Sequence, residues 1–273
     1  MHFPLVTKEL IGRLSNCDPD YRDDRMRLLQ ALPGNPAGIE FHHFDHVQAT
    51  ISNSGYFDTI RGLDIGDEDR LDAAMSLYRG RGIKLQLGLY AIPVFFNAAM
   101  ARRFVAHGFY QADFHTVVYG IPLPLSEQTE APHIAPGVTV EAVDAENINL
   151  FTTVLCEGFE MAPDGPTAIT APASLSLPNW RLYLARVNGV PAAAAIMTIS
   201  NGVGSLAAGA TTPAFRRLGC QAALIRQRIA DAHAMGCDLI RGAGAVDSSS
   251  QHNQERAGLR IAYTYAKWNE LDI

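Results

Sequence analysis

The feature that most restricts what this chain can fold into is the dipeptide Asn188-Gly189, set between NWRLYLARV and VPAAAAIMTIS. Two strand-like runs separated by Asn-Gly predict a two-residue hairpin, because both central positions of that turn need a positive φ that these residues tolerate. With the hairpin fixed, its neighbours fall into order. Before it, VTVEAV reads as a strand and INLFTTVLCEGF as a helix running into a loop rich in Pro and Gly. After it come a strand GSLAAGAT, a helix over FRRLGCQAALIRQRI, a strand CDLIRGAGA, a helix SQHNQERAG and a strand RIAYTYAKW. Alternation of this kind predicts a mixed α/β unit.

Residues 121–137, IPLPLSEQTEAPHIAPG, hold four prolines among polar residues without helical or strand periodicity, and read as an extended connector. The expected division is a first unit at 1–120 and a second at 138–273, which suits a chain of 273 residues. In the first unit DEDRLDAAMSLYRGRG reads as a helix closed by glycine and IKLQLGLYAI as a strand. FFNAAMARRFVAHG then reads as a helix and FYQADFHTVVYGI as a strand. ARRFVAHGFYQADFHTVV and HNQERAGLRIAYTYAKW echo each other, each a basic helix closed by glycine and followed by a strand. That echo raises a duplicated or half-duplicated fold.

Hydrophobic residues make up 48% and charged residues 18%, the balance of an ordinary globular chain. Lys and Arg total 22 against 28 Asp and Glu, and the net of −6 has the wrong sign for a protein that neutralises many phosphates along a nucleic acid. No nucleic-acid partner is expected. Cys17, Cys156, Cys220 and Cys237 are widely spaced and form no CxxC pair, so neither a zinc site nor a disulfide framework is expected, and a reducing cytoplasm fits best. MHFPLVTKELIGRL lacks a secretory pattern, and no run of 18 or more apolar residues occurs, so no membrane partner is expected either. A homodimer stays open.

The helix-like run from Phe215 poses the functional question. Phe215, Leu218, Ala222, Ile225, Ile229 and Ala232 make one apolar stripe facing a core. That stripe leaves Arg216, Arg217 and Gly219 unexplained. They stand at the positive end of the helix dipole, where cations cost about 0.3 to 1 kcal/mol unless an anion meets them, and a glycine there lets the anion reach the backbone N–H groups. From Gly165 to Ala230 there is no Asp, Glu or Lys but six arginines: Arg181, Arg186, Arg216, Arg217, Arg226 and Arg228. The asymmetry favours an anionic ligand, with Arg226 and Arg228 read as solvating the helix face. Neither a Walker loop nor a dinucleotide fingerprint is present.

Arg216-Arg217-Leu218-Gly219-Cys220-Gln221 resembles the [Q/R]-x-x-G-x-[G/A] signature of the GNAT superfamily of acyl-CoA N-acyltransferases, with Gln221 in place of the small sixth residue. The order of elements from about 138 to 273 is similar to that family's as well. The resemblance implies a mixed, largely antiparallel central sheet flanked by helices, with a smaller unit before it that is either a degenerate GNAT-like copy or a scaffold. It implies CoA pyrophosphate at Arg216, Arg217, Leu218, Gly219, Cys220, Gln221 and Ala222. The pantetheine arm would lie along Ala208, Gly209, Ala210, Thr211 and Thr212, and Asn253 would touch it. Gln221 would narrow the cradle or donate its amide to a phosphate. The co-substrate implied is acetyl-CoA, with no metal, and the acceptor is an amine of an unnamed small molecule or peptide.

The chemistry thins from there. Backbone N–H groups near Ala210 would polarise the thioester carbonyl. The family's usual acid, a tyrosine four residues before the glycine that closes the last helix, is replaced by Gln254; Tyr263, Tyr265 or solvent would take its part. Glu157, Glu160, Asp164 and Asp247 are candidate bases, each read first as a solvated carboxylate, and no catalytic residue is assigned. FHHFDH (41–46) could bind a metal but reads better as a strand with exposed histidines. Cys220 would have a lowered pKa at a helix start, yet serves better as a packing residue. Ser249 or Ser250 would cap its helix. In the first unit the comparable helix start, IPVFFNAAMARRF, offers Pro93 and Phe residues instead of a cradle. The rival readings are a CoA-binding regulatory module without catalysis and an interaction protein with no CoA site.

Overall fold

A computed structural model describes residues 3–55, 58–85, 88–128 and 134–271; residues 129–133 of the expected connector, and 86–87 of the expected strand IKLQLGLYAI, lie outside the described residues. In chain order the elements are α1 (Lys8–Ser15), α2 (Cys17–Gln30), β1 (Glu40–Phe44), β2 (Val47–Ile51), β3 (Thr59–Arg61), α3 (Glu68–Gly80) and β4 (Leu89–Ala91). They continue with α4 (Ala98–Ala106), β5 (Phe109–Gly120), β6 (Val138–Ala142), α5 (Ile148–Gly158), α6 (Pro166–Ser174), β7 (Trp180–Val187) and β8 (Val190–Ser200). Last come β9 (Val203–Thr211), α7 (Cys220–Ala234), β10 (Leu239–Ala245), α8 (Ser249–Arg256) and β11 (Arg260–Glu270). Helix α6 occupies the stretch that composition marks as a loop.

The chain divides into two compact units that interleave, 1–21 with 117–262 and 22–116 with 263–273, whereas the division expected from the connector is into consecutive stretches. Strands β5 and β11 each have one end in either unit.

In the first unit the strand order is β11-β5-β10-β9-β8-β7-β6. The hairpin at Asn188 (φ 49°) and Gly189 (φ 81°) pairs β7 with β8 antiparallel, Val187 opposite Val190. A second Asn-Gly turn, Asn201 (φ 48°) and Gly202 (φ 76°), returns β8 into antiparallel β9. Alternation along these strands feeds two cores. Tyr183, Ala185, Ala193, Ala195 and Met197 pack with Leu224, Ile225, Ile229 and Ala232 of α7. Leu182, Leu184, Ala194 and Ile196 pack with Phe151, Val154 and Leu155 of α5 on the opposite face. The buried run Ala192 to Ala195 keeps β8 thin enough for a helix on either side. Arg13 of α1 is paired with Asp238, just before β10, at 2.6 Å.

In the second unit β1-β2-β3 form an antiparallel sheet whose Val47, Ala49, Ile51 and Ile60 pack with Leu71, Ala74, Met75 and Tyr78 of α3. Strand β4 pairs antiparallel with the end of β11, Ala91 opposite Ala266. Two of the three histidines of FHHFDH pair with separate carboxylates, His42 with Glu40 and His46 with Asp67, both at 2.7 Å, and His43 is exposed. Among the described residues no group of three or more His, Cys, Asp or Glu could hold a metal ion, and no helix is long and apolar enough to cross a membrane.

Element order also corrects one correspondence. The run β7-β8-β9-α7-β10-α8-β11 repeats as β1-β2-β3-α3-β4-α4-β5. The counterpart of α7 is therefore α3, and the segment IPVFFNAAMARRF, a 3-10 turn leading into α4, stands opposite α8.

Candidate functional site

Strand β9 is held on one side by β8, in a register from Ala208 opposite Ile196 to Thr211 opposite Ala193. On its other side it pairs parallel with β10 for three residues only, Val203 to Ser205 against Leu239 to Arg241. Beyond Ser205 the strands part, so one edge of β9 keeps backbone groups that no strand takes up. A cavity of about 1060 Å³ opens there, lined by Leu206 to Thr211 of β9, Ala243 of β10, the start of α7 and one face of α8. Gly209 and three alanines line this edge, which leaves room for a thin chain.

The cavity leads to the arginine and glycine tip. Pro213–Phe215 is a 3-10 turn, Arg217 lies in the left-handed region (φ 67°), and Gly219 is also left-handed (φ 81°). The helix thus begins at Cys220 rather than at Phe215, because two consecutive turns reverse the chain first. Only glycine takes such a φ at little cost. Helices α1, α4 and α8 are each capped by a side chain, Thr7, Asn97 and Ser248. Helix α7 has no side-chain cap and no acid in its first turn, so its leading N–H groups face outward without a partner of that kind. The cap of α8 is Ser248, one residue before the expected pair.

Of the site residues expected from the sequence, Ala210, Thr211, Arg216, Arg217, Gly219, Cys220, Gln221, Ala222 and Asn253 line this cavity together. Thr212 and Leu218 do not. Thr212 is buried, its hydroxyl donating to the Ala192 carbonyl at 3.2 Å, and Leu218 packs on the α7 core. Arg216 is half-exposed, its Nε donating to the Thr211 carbonyl at 3.4 Å and its Nη2 standing 3.8 Å from Glu160. Arg217 is exposed. Gln221 does not point outward: its amide donates to Thr211 Oγ1 at 3.0 Å, and its Oε1 lies over Gly209, where an added Cβ would meet it at 3.0 Å. It narrows the cavity.

Three readings need correction. Arg228 does not solvate the helix but is 2% exposed, donating to the carbonyls of Leu224, Ile196 and Ala208 at 3.1 Å each. Burial pushes its pKa down to about 10, while nearby Tyr183 acts the other way. It ties α7 to β8 and β9 where their register shifts between Ile196 and Thr198. Cys220 is buried, and burial raises its thiol pKa, overriding the helix-start effect. The stripe of α7 runs through Cys220, Leu224, Ile225, Arg228, Ile229 and Ala232, with Phe215 and Leu218 packing from the turn before the helix.

Gln254, at the position of the family's tyrosine, is 5% exposed and lines the cavity. Tyr263 and Tyr265 belong to the second compact unit and are not among the lining residues. Glu157, Glu160, Asp164 and Asp247 are all exposed. The described lining holds five arginines and no Asp, Glu, Lys or His. Sequence reasoning missed Arg228 and Gly158. A Cβ on Gly158, at the end of α5, would meet the Ala210 Cβ at 2.7 Å, so this glycine lets α5 reach the strand.

Comparison with curated proteins gives no match. Solved structures similar over nearly the whole chain include a GCN5-related N-acetyltransferase from Kribbella flavida, with 16% identity, 93% of this chain and 95% of that one covered, and a TM-score of 0.61. A GCN5-related N-acetyltransferase from Sphaerobacter thermophilus is similar at 13% identity, 96% and 93% coverage and a TM-score of 0.59. A tandem GNAT protein from the clavulanic acid biosynthesis pathway is similar at 12% identity, 97% and 95% coverage and a TM-score of 0.57. At such identities the likeness is one of fold. Residues 170–245, from α6 to the end of β10 and including the whole arginine and glycine tip, match the family model of the acetyltransferase (GNAT) domain, and the fold that carries them is the GNAT fold.

Proposed function

We propose that this chain is an N-acyltransferase that takes an acyl group, acetyl first among them, from its thioester with CoA to an amine. The observation that carries the reading is the parting of β9 from β10 into a cavity that ends at an uncapped helix start beside two arginines. The residues fit CoA on three counts. The first-turn N–H groups of α7 and the side chains of Arg216 and Arg217 suit a diphosphate. The free edge of β9 suits an amide-bearing arm that pairs like an added strand. The small residues of that strand leave the arm its space. Asn253 lines the same cavity and would touch the arm.

Transfer requires a neutral amine nitrogen to attack the thioester carbonyl carbon. The C–N bond forms, the C–S bond breaks, and the proton lost by nitrogen ends on the departing sulfur, directly or through water. Free N–H groups on β9 between Leu206 and Thr211 would hold the carbonyl oxygen as its charge grows. The lining offers no carboxylate to strip an ammonium, so the amine must lose that proton before it arrives. A second reading, a CoA-binding module without turnover, is favoured by Gln254 at the tyrosine position.

Thermal unfolding with and without CoA tests the site, and acetyl-CoA with a panel of amines tests the reaction. A CoA-dependent rise in Tm with turnover supports the enzyme; a rise without turnover supports the binding module; no rise removes both.

A further inference from the structure

We infer that Gln221 is a latch across the cavity: it ties the start of α7 to β9 over the stretch that a thioester arm must pass, and the arm binds only once Gln221 has swung away. The inference rests on the reading of the cavity as an acyl-CoA site, and it adds to that reading a residue that sets the affinity for the arm. Gln221 is the second residue of α7, in the uncapped first turn. Its side chain leaves the helix and reaches the strand. Nε2 donates to Thr211 Oγ1 at 3.0 Å, and Oε1 rests over Gly209. Gln221, Gly209 and Thr211 all line the cavity, and Gln221 and Thr211 are half-buried rather than sealed in.

Gly209 and Thr211, two apart on β9, present the same face of the strand, and Gln221 covers that face. Gly209 makes the room for it, since a Cβ there would stand 3.0 Å from Oε1. Residues 209–211 are also the end of β9 nearest the turn at Pro213–Phe215. A ligand whose diphosphate sits at the tip and whose arm pairs along β9 meets these residues first. The small residues of the strand leave width for the arm, and Gln221 takes it back at one point; a Gly or Ala at position 221 could not reach β9. A neutral hydrogen bond at a half-buried site is worth little net, so a ligand can break it. A site that is open for only part of the time binds more weakly by that fraction. The cost falls on the arm, because Arg216 and Arg217 take no part in the bond.

Calorimetric titration of wild type, Gln221→Ala and Thr211→Val with CoA and with 3′-phospho-ADP, which lacks the arm, reads the latch. Gln221→Ala should bind CoA about tenfold tighter than wild type and 3′-phospho-ADP no differently. Thr211→Val keeps the bulk of the strand residue and removes the acceptor, so it should gain a smaller factor with CoA, about threefold, and nothing with 3′-phospho-ADP. Equal or weaker CoA binding by Gln221→Ala overturns the proposal, because the side chain then either does nothing or holds the ligand. A gain shared equally by both ligands overturns it as well, since the obstruction would then lie at the diphosphate. If Gln221→Ala fails to fold, Thr211→Val decides, and unchanged CoA affinity there is the overturning result. Wild type and variants that bind neither ligand overturn the acyl-CoA reading and the latch with it, whereas binding of both ligands without the difference between variants removes the latch alone.

Discussion

The starts of α7 and α3 occupy the same place in the element order and are filled in opposite ways. Before α7 the chain reverses through Arg217 and Gly219, leaves the helix uncapped and sets arginines beside it. Before α3 it reverses through Gly62 and Gly66, then sets Asp67 at the N-cap position, again without a side-chain cap bond to the helix, and Glu68 and Asp69 in the first turn. Asp67 accepts from the Asp64 N–H at 2.8 Å, from Arg70 at 2.9 Å and pairs with His46 at 2.7 Å. One helix start keeps its positive end available to an anion; the other neutralises it with its own carboxylates. The lesson is that a shared topology supplies the dipole, and a few side chains decide whether it serves binding or stability.

The strongest way to break the contrast is to give α7 the charge of α3. A ligand at 100 times its Kd stabilises the folded protein by about 2.7 kcal/mol. With Arg216→Asp and Arg217→Asp together, CoA at that same concentration should add no stability, because phosphate would meet two carboxylates. Differential scanning fluorimetry decides it, and an undiminished shift would show that the diphosphate is not held there.

Much of the α7 side of this contrast was legible in residues 188–260. Asn-Gly, the run of small residues and the arginines each act through local rules, and the structure places strands and hairpin where those rules put them, while the helix starts only at Cys220, after the turn that carries the arginines. The same Asn-Gly signal stands at 201–202 and makes the second hairpin, although GSLAAGAT reads as a separate strand without it. What stayed hidden is set at a distance. Arg228 has no local reason to be buried; carbonyls of two strands, Ile196 and Ala208, make it so. Strands β5 and β11, each with one end in either unit, defeat any division read along the chain. The acidic start of α3 was legible too, but its relation to α7 required the element order.

A smaller effect tests the backbone rather than the charge. Gly219→Val forces a β-branched residue to φ 81°, which should cost about 1 to 3 kcal/mol in urea unfolding of the unliganded protein. The variant should also lose CoA binding, since the turn aims the first N–H groups. On the α3 side, Asp67→Asn should cost about 1 to 2 kcal/mol by weakening three charge-assisted contacts and leave CoA affinity untouched. A change in CoA affinity there would join the two helix starts into one functional system.

The smallest effect separates buried from exposed acids. Burial raises the Asp67 pKa, but the Asp64 N–H, His46 and Arg70 outweigh it and hold the carboxyl below its ordinary value. Arg13 does the same for Asp238, which remains mostly exposed at 61%. A carboxyl whose folded pKa is depressed contributes stability that is present above its unfolded value, near 4, and lost as pH falls through the folded value. Both should therefore weaken the fold on acidification. The Asp67 side chain is only 5% exposed, so its loss should dominate, whereas solvent screens the exposed pair to less than about 1 kcal/mol. Urea midpoints of Asp67→Asn and Asp238→Asn between pH 6 and pH 3 measure the difference. The first variant should flatten the acid limb visibly and the second barely at all; the reverse order would mean that the clasp between α1 and β10, rather than the acidic cap of α3, governs acid stability.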